Sequence, residues 1–346
     1  MALRLVIAGG GVIGRAHAER IRSHPECTLV GLADPSPGAA TLAQEMDVRL
    51  FRTLDEMLDA TQADGAILAT PNAWHVSGAL ACIARRVPVL VEKPVAESLH
   101  EAQQLMAAAA SSGVPVLVGH HRRHSAILEA ARAVIASGCL GRLATVNGSA
   151  TFRKPDSYFS EAPWRAQPGG GPILINLVHE IDNLRALLGD IVEVQALASN
   201  AARGFAVEDT VAINLRFANG VLGTFLLSDA AASPRSWEQT TGENPHYDRH
   251  ADEDCYVIAG DQGSLEVPTL RLRRYTGERS WFAPMHTETI EVPALDPLVQ
   301  QLTHFCAVIR GDEAPRVSAA DATCTLQVTL AVAQAAASRQ TLSLTA

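Results

Sequence analysis

The stretch Arg4-Leu5-Val6-Ile7-Ala8-Gly9-Gly10-Gly11-Val12-Ile13-Gly14 decides the fold, because a run of buried-strand type enters a glycine turn and a helical pattern starts at once beyond it. Gly9, Gly11 and Gly14 stand in the spacing G-x-G-x-x-G. In that spacing the first glycine permits the tight turn, the second lets backbone approach a diphosphate, and the third lets helix and strand pack closely. The helix starting near Val12 and Ile13 turns its unpaired N–H groups and its positive dipole end toward the same point. A bare match of this kind also fits an ordinary strand-turn-helix, so the neighbouring sequence has to decide.

The second apolar run, Thr28 to Ala33, ends in Asp34, 20 positions beyond Gly14. An acid there can accept hydrogen bonds from an adenosine ribose. It would repel a 2′-phosphate, and no arginine follows within Pro35-Ser36-Pro37-Gly38, so NAD is expected in preference to NADP. The alternative makes Asp34 a turn or helix-capping residue.

Working outward, helical spacing at Ala39 to Glu45 and Leu54 to Leu58 brackets a short extended piece, Val48 to Phe51. Strands follow at Gly65 to Thr70, Val87 to Val91 and Val114 to Gly119, with helices Ala73 to Arg85 and Ser98 to Ala110 between them. Short apolar strands alternating with helices indicate a doubly wound parallel sheet, placed at residues 1–120. Beyond residue 140, Leu143 to Phe152, Ile191 to Ser199, Val211 to Phe217 and Val221 to Ser228 read as strands of a second, antiparallel sheet, with Asn219-Gly220 as a hairpin turn. Further strands are expected at 255–259, 264–267 and 270–275. A long helix, Pro172 to Leu188, follows the triglycine Gly169-Gly170-Gly171, Ser233 to Asp254 reads as a surface excursion, and helices Pro297 to Arg310 and Ala319 to Ser338 precede a short strand, Thr341 to Leu344. Residues 121–346 are assigned to this second domain.

A chain of 346 residues exceeds one ordinary core, and 47% hydrophobic against 19% charged residues suits folded, soluble domains. The net charge of −9 argues against a nucleic-acid partner. Met1-Ala2-Leu3-Arg4 leads straight into the first strand without a signal peptide, and no apolar run of about twenty residues exists for a membrane. Six cysteines, none close to another in sequence, fit reduced thiols in a cytoplasm better than disulfides or a zinc site. No metal is expected.

Lys93, in Glu92-Lys93-Pro94 at a parallel strand end, can relay the proton of a substrate hydroxyl as hydride leaves the same carbon. The other reading is a surface lysine paired with Glu92 or another acid. His179 lies on an otherwise apolar helix with Asn176 and Asn183 at intervals of three and four, which suits either a proton-handling group or a satisfied structural histidine. His120-His121-Arg122-Arg123-His124, with Arg165, offers guanidinium forks for a substrate carboxylate, or else a structural basic turn. His120 and His124 are four apart, but no nearby acid or cysteine completes a metal ligand set.

On these motifs the chain resembles the Gfo/Idh/MocA oxidoreductases: the glycine turn with Ala16-His17, Thr70-Pro71-Asn72 followed by His75, Glu92-Lys93-Pro94, Trp164-Arg165, the triglycine before His179 and Asp182, Glu208-Asp209-Thr210, and Gly260 with Gly263-Ser264. The resemblance implies an α/β protein: an N-terminal Rossmann domain and a C-terminal α/β domain with a large, mostly antiparallel sheet, through which members assemble as dimers or tetramers. It implies cofactor contacts from Gly9, Gly11, Val12, Ile13, Gly14, Asp34, Thr70, Pro71, Asn72, His75, Glu92 and Lys93. It maps catalysis onto Lys93, His179 and Asn176, places Lys93 and His179 about the carbinol carbon, and adds His120, Arg122, Trp164 and Arg165 as substrate contacts. The Lys93-Pro94 peptide is expected to be cis. Inositol dehydrogenase-like members carry an aspartate four residues before the helix histidine; here Ile175 stands there, so that role is empty or passes to Asn176. The expected activity is NAD-dependent oxidation of a secondary alcohol of a sugar, cyclic polyol or cyclic hydroxy acid. The alternatives are an enzyme that retains NAD for elimination or epimerisation, and a non-catalytic nucleotide sensor.

Overall fold

A computed structural model describes residues 2–344, so Met1, Thr345 and Ala346, at the ends of the two expected domains, lie outside the described residues. The chain runs through β1 (Leu3–Ala8), α1 (Val12–Ser23), β2 (Cys27–Ala33), α2 (Ala39–Glu45), β3 (Leu50–Phe51), α3 (Leu54–Ala60) and β4 (Gly65–Leu68). It continues with α4 (His75–Ala84), β5 (Val89–Val91), α5 (Leu99–Ser112), β6 (Val116–Val118), α6 (Ala126–Ala136), β7 (Leu143–Thr151), α7 (Asp156–Ser160) and α8 (Val178–Leu188). Then come β8 (Ile191–Ser199), β9 (Thr210–Phe217), β10 (Leu222–Ser228), α9 (Trp237–Thr241), β11 (Tyr256–Gly260), β12 (Gly263–Val267), β13 (Arg271–Tyr275) and β14 (Met285–Thr289). The last elements are α10 (Pro297–Arg310), α11 (Ala319–Ser338) and β15 (Leu342–Ser343).

Two compact units result: residues 1–124 with 297–326, and residues 125–296 with 327–346. The first holds a parallel sheet in the order β3-β2-β1-β4-β5-β6, the dinucleotide-binding order. β4, β5 and β6 are buried throughout and β1 over its last four residues, which is why these strands read as unbroken apolar runs. Ser98 and Glu101 form a reciprocal capping box at the start of α5, and Gly113 closes that helix in the left-handed conformation at φ 70°. The first unit differs from the expected division in two respects, since it runs to residue 124 rather than 120 and also takes in a later segment. Residues 297–326 belong to it and not to the second unit, because Leu302, Phe305 and Cys306 of α10 pack into its core and Ser318 bridges Leu117 beside β6.

The second unit is built on nine strands in the order β14-β13-β12-β11-β7-β10-β9-β8-β15. This sheet is mixed: β10 runs parallel to β7, and the other pairs are antiparallel. One face packs on Leu128 and Ala131 of α6 and Ile181 and Leu184 of α8. The expected surface excursion at 233–254 is anchored at its start, since Trp237 is buried in that core. The expected single helix from Pro172 also divides: Ile173–Leu177 form a π turn before α8 begins. Among the described residues, no helix is long and apolar enough to cross a membrane.

Candidate active site

In the first unit the glycine turn has the geometry its spacing predicts. Gly9 sits at φ 99°, and a Cβ there would lie 2.3 Å from the Ala69 carbonyl oxygen. A Cβ on Gly14 would lie 1.9 Å from the Gly9 carbonyl oxygen, so helix and strand are packed as closely as backbone permits. Gly11 is the opposite case, with nothing within 4 Å of its Cβ position. The turn is therefore closed on the protein side and open on the other, and no side chain caps the start of α1. Asp34 accepts from the Gly10 N–H at 2.7 Å and the Ser36 N–H at 2.7 Å. Partial burial raises its pKa, but the Ser36 hydroxyl and the backbone amides of Gly10 and Ser36 outweigh this and hold it below the usual carboxylate range. It is thus both the turn residue of one reading and a charged acceptor beside the glycine turn. At the end of β4 the Thr70 hydroxyl is buried with no hydrogen-bond partner.

Glu92 sits at the base of the turn that carries Lys93. Its carboxylate is buried, accepts from the Lys93 backbone N–H at 3.2 Å, and contacts His17 Nε2 at 2.8 Å. Burial raises the Glu92 pKa, and His17, with His121 and Lys93, more than offsets it, leaving the group below its ordinary range. Removing one partner of a buried pair of this kind costs about 3–5 kcal/mol, so the pair fixes the base of the turn. Lys93 is half-buried, and its bond to Pro94 is cis. His75 is buried, with Nδ1 2.8 Å from the Pro94 carbonyl and Nε2 3.0 Å from the Thr70 carbonyl, and so buckles the loops after β4 and β5 together. Pro71 and Asn72 between them are exposed. The basic turn is almost wholly buried: His120, Arg122, Arg123 and His124 are each 8% exposed or less. Arg123 donates to Asp321 at 3.0 Å, and the His124 ring lies 5.1 Å from that of His304.

In the second unit, Glu208 explains the triglycine. Its carboxylate accepts from the Ile173 N–H at 2.9 Å at the head of the π turn, and burial pushes its pKa up. A Cβ on Gly171, which adopts φ 82°, would lie 2.6 Å from that carboxylate, and one on Gly170 would lie 2.5 Å from the Arg165 carbonyl. π turns inside helices re-aim side chains and recur at functional sites. Here the turn carries Ile175 and Asn176 and is followed by His179, itself 8% exposed. Asn176 Oδ1 accepts from Lys154 Nζ at 2.7 Å, and Asp229 lies 3.3 Å from the same nitrogen. Burial lowers the Lys154 pKa, with Asp229 opposing it. Arg165 stacks over Tyr158 at 3.8 Å and donates to the Tyr158 carbonyl, while Trp164 is 55% exposed. Asn183, one turn beyond His179 on α8, donates from its amide to the Tyr256 hydroxyl at 3.0 Å, and that hydroxyl donates to Glu180, which ties α8 to β11.

Residues 3–120 match the oxidoreductase family with the NAD-binding Rossmann fold, and residues 128–266 match the GFO/IDH/MocA C-terminal domain. The chain belongs to the Gfo/Idh/MocA family. It is an NAD-binding oxidoreductase acting on CH–OH groups. Among curated Gfo/Idh/MocA relatives, a 1,5-anhydro-D-fructose reductase of Ensifer adhaerens is 29% identical over 305 residues, covering 88% of this chain and 86% of that protein. A 2,7-anhydro-N-acetylneuraminate hydratase of Escherichia coli is 25% identical, over 75% of this chain and 66% of that protein. Among solved structures, an oxidoreductase from Agrobacterium radiobacter in complex with NAD+, L-tartaric acid and magnesium shares the fold at a TM-score of 0.84 and 20% identity, covering 99% of this chain and 98% of that one.

The first unit fits the family's dinucleotide on its own observations: the open space at Gly11, the uncapped helix start, the Asp34 carboxylate and the unsatisfied Thr70 hydroxyl. It brings Gly9, Gly11, Val12, Ile13, Gly14 and Asp34 together, with Thr70 and Lys93 at the ends of neighbouring strands. Sequence reasoning missed Lys154 and Asp229, which the fold unites with Asn176 from β7, β10 and the π turn. The one available signal was the pair of charged residues just past the ends of two predicted strands. Sequence reasoning also missed that Cys27 and Cys306, far apart along the chain, meet in space when α10 packs against β2.

Proposed function

We propose that the chain is an NAD-dependent dehydrogenase that oxidises a secondary alcohol of a sugar or cyclic polyol. The observation that carries this reading is the lysine of the Glu-Lys-Pro turn, held on its buried Glu92–His17 base at the same strand-end edge as the open Gly11 position. Bound NAD+ would supply the hydride acceptor. Lys93 takes the proton of the substrate hydroxyl, a role worth about 10²–10⁴ in rate for a positioned acid–base group. His179 holds or exchanges a proton at the reacting oxygen. Lys154, oriented by Asn176 and Asp229, offers a donor to further hydroxyls, which assigns Asn176 the positioning of a lysine where other members carry an aspartate. A sugar-like substrate is supported by the reductase relative's name. A substrate carboxylate would depend on His120 and Arg122, whose burial within the first unit favours a neutral polyol.

The test is reduction of NAD+, followed by absorbance, across sugars, inositols and cyclic hydroxy acids. Lys93→Met should lower kcat about 10²–10⁴-fold while NAD+ still binds; undiminished turnover in that variant would remove Lys93 from the chemistry. A second reading, transient oxidation with retained NAD, is favoured by the relative named as a hydratase. It predicts substrate conversion without accumulation of NADH. We further assign the enzyme to the cytoplasm, where its cysteines, all free, would stay reduced.

A further inference from the structure

Away from the glycine turn, at the opposite end of β2, three metal-ligating side chains converge. A ring nitrogen of His24 and the sulfurs of Cys27 and Cys306 all lie within 4.8 Å of one another. Cys27 opens β2, Cys306 lies on α10, and His24 caps the end of α1, so three elements of the first unit contribute one ligand each. The thiols are buried, at 2% and 0% exposure. His24 is half-exposed.

Both ring nitrogens of His24 have hydrogen-bond partners. Thr303 Oγ1 donates its only proton to the Val299 carbonyl at 3.0 Å, so toward His24 Nε2, also at 3.0 Å, it can only accept. That places hydrogen on Nε2 and leaves Nδ1 as the acceptor, where its lone pair takes a long 3.2 Å bond from the Glu26 N–H that a metal ion would replace. A histidine whose second nitrogen donates to a fixed oxygen is the usual arrangement at protein metal sites. Thr303 and Cys306 are one turn apart on α10, so one helix face supplies both the sulfur and the orienting hydroxyl.

We propose that His24, Cys27 and Cys306 bind a thiophilic divalent cation of the zinc class, with water in the fourth position on the side of the half-exposed imidazole. Two thiolates and a neutral imidazole match zinc in charge and softness, and binding releases both thiol protons. Asp34 follows β2 at its far end, and six residues of strand span about 20 Å, so the ion has no part in hydride transfer. Its effect is to clamp α10, which arrives from residue 297, onto the strand that carries the cofactor-binding acid.

The test uses the full-length chain, tag removed, reduced and stripped with chelator, titrated with Co(II). A sulfur-to-cobalt charge-transfer absorption should saturate near about one ion per chain and be discharged by Zn(II). Cys27→Ser and Cys306→Ser should abolish the band, and His24→Ala should weaken Co(II) binding at least about tenfold. Cys82→Ser, altering another buried thiol, should leave the band unchanged. No charge-transfer band in the reduced wild type would overturn the proposal. So would a band that survives Cys27→Ser, or loss of both thiols to glutathione disulfide with no metal uptake before it, which would make the pair a redox device. The ion should raise the thermal midpoint of the wild type but not that of folded His24→Ala, so a variant that retains its fold keeps the test decisive.

Discussion

Burial pushes the imidazole of His124 down to about 2, and the positive neighbours Arg316 and His304 push the same way. Its Nε2 is enclosed with no hydrogen-bond partner. The folded protein therefore holds this ring neutral, while the unfolded chain protonates it near its ordinary 6.5. The unfolded state binds more protons between those values, so the stability contributed is complete above about 6.5 and lost as pH falls toward 2. We expect the thermal midpoint to drop on acidification below neutrality, and the slope to become shallower by about one proton in His124→Gln. Equal slopes in the two proteins would remove His124 from the acid response. At this scale the sequence was legible where neighbours along the chain do the work, as in Gly9 to Gly14. It was opaque where partners are remote: nothing beside Lys154 in sequence marks its role, and Asp229 joins it only from three strands later. The basic turn shows the same limit, since five cationic or titratable residues in a row suggested a ligand, and the fold uses Arg123 to bind Asp321.

Among the elements, α10 governs the first unit more than its late place in the chain suggests. Phe305 is 0% exposed and lies with Leu302 and Cys306 in the core of the parallel sheet. A Cβ on Gly65 would stand 2.5 Å from Ile309 and 3.2 Å from Phe305, so β4 has a glycine where the helix presses on it. Phe305→Ala should cost about 3–5 kcal/mol, read as a lowered thermal midpoint. A chain ending at residue 296 should fail to yield a folded dinucleotide-binding unit, and a stable, NAD-binding fragment would contradict this. Hydrophobic periodicity located this helix correctly but could not say which sheet it covers, because an apolar stripe does not name its partner. The π turn was hidden for a related reason. The 3.6-residue pattern continues through Pro172 to Leu188, and only the Glu208 carboxylate at the Ile173 amide marks the altered start.

For the molecule as a whole, the outer face of the nine-stranded sheet is the feature that implies a partner. Leu197, Leu222, Leu226 and Val257 are 68%, 50%, 45% and 39% exposed on β8, β10 and β11, with β9 and β7 between those strands in the same sheet. The intervening Asn147, Asn214 and Thr224 are polar but uncharged. Large exposed apolar patches mark interaction surfaces, and a second copy of the chain is the occupant expected from the family resemblance, as a homodimer or homotetramer. Light scattering should give a multiple of the 36.7 kDa chain mass, and Leu226→Glu should shift it toward a single chain. A wild type that is monomeric at micromolar concentration would refute the assignment. Strand alternation made this sheet legible, whereas the parallel pairing of β7 with β10 was not, since neither strand's residues encode its neighbour's direction.

All of the chemistry depends on a dinucleotide lying against the glycine turn. Gly11 gives the cleanest probe, because a side chain there meets open space and should leave the fold intact. Calorimetric titration of NAD+ into the wild type and Gly11→Val, at matched thermal stability, is the direct measurement. We predict saturable binding in the wild type and an affinity at least about 100-fold weaker in the variant, a loss of about 2.7 kcal/mol. Equal affinity in the two proteins would contradict the account.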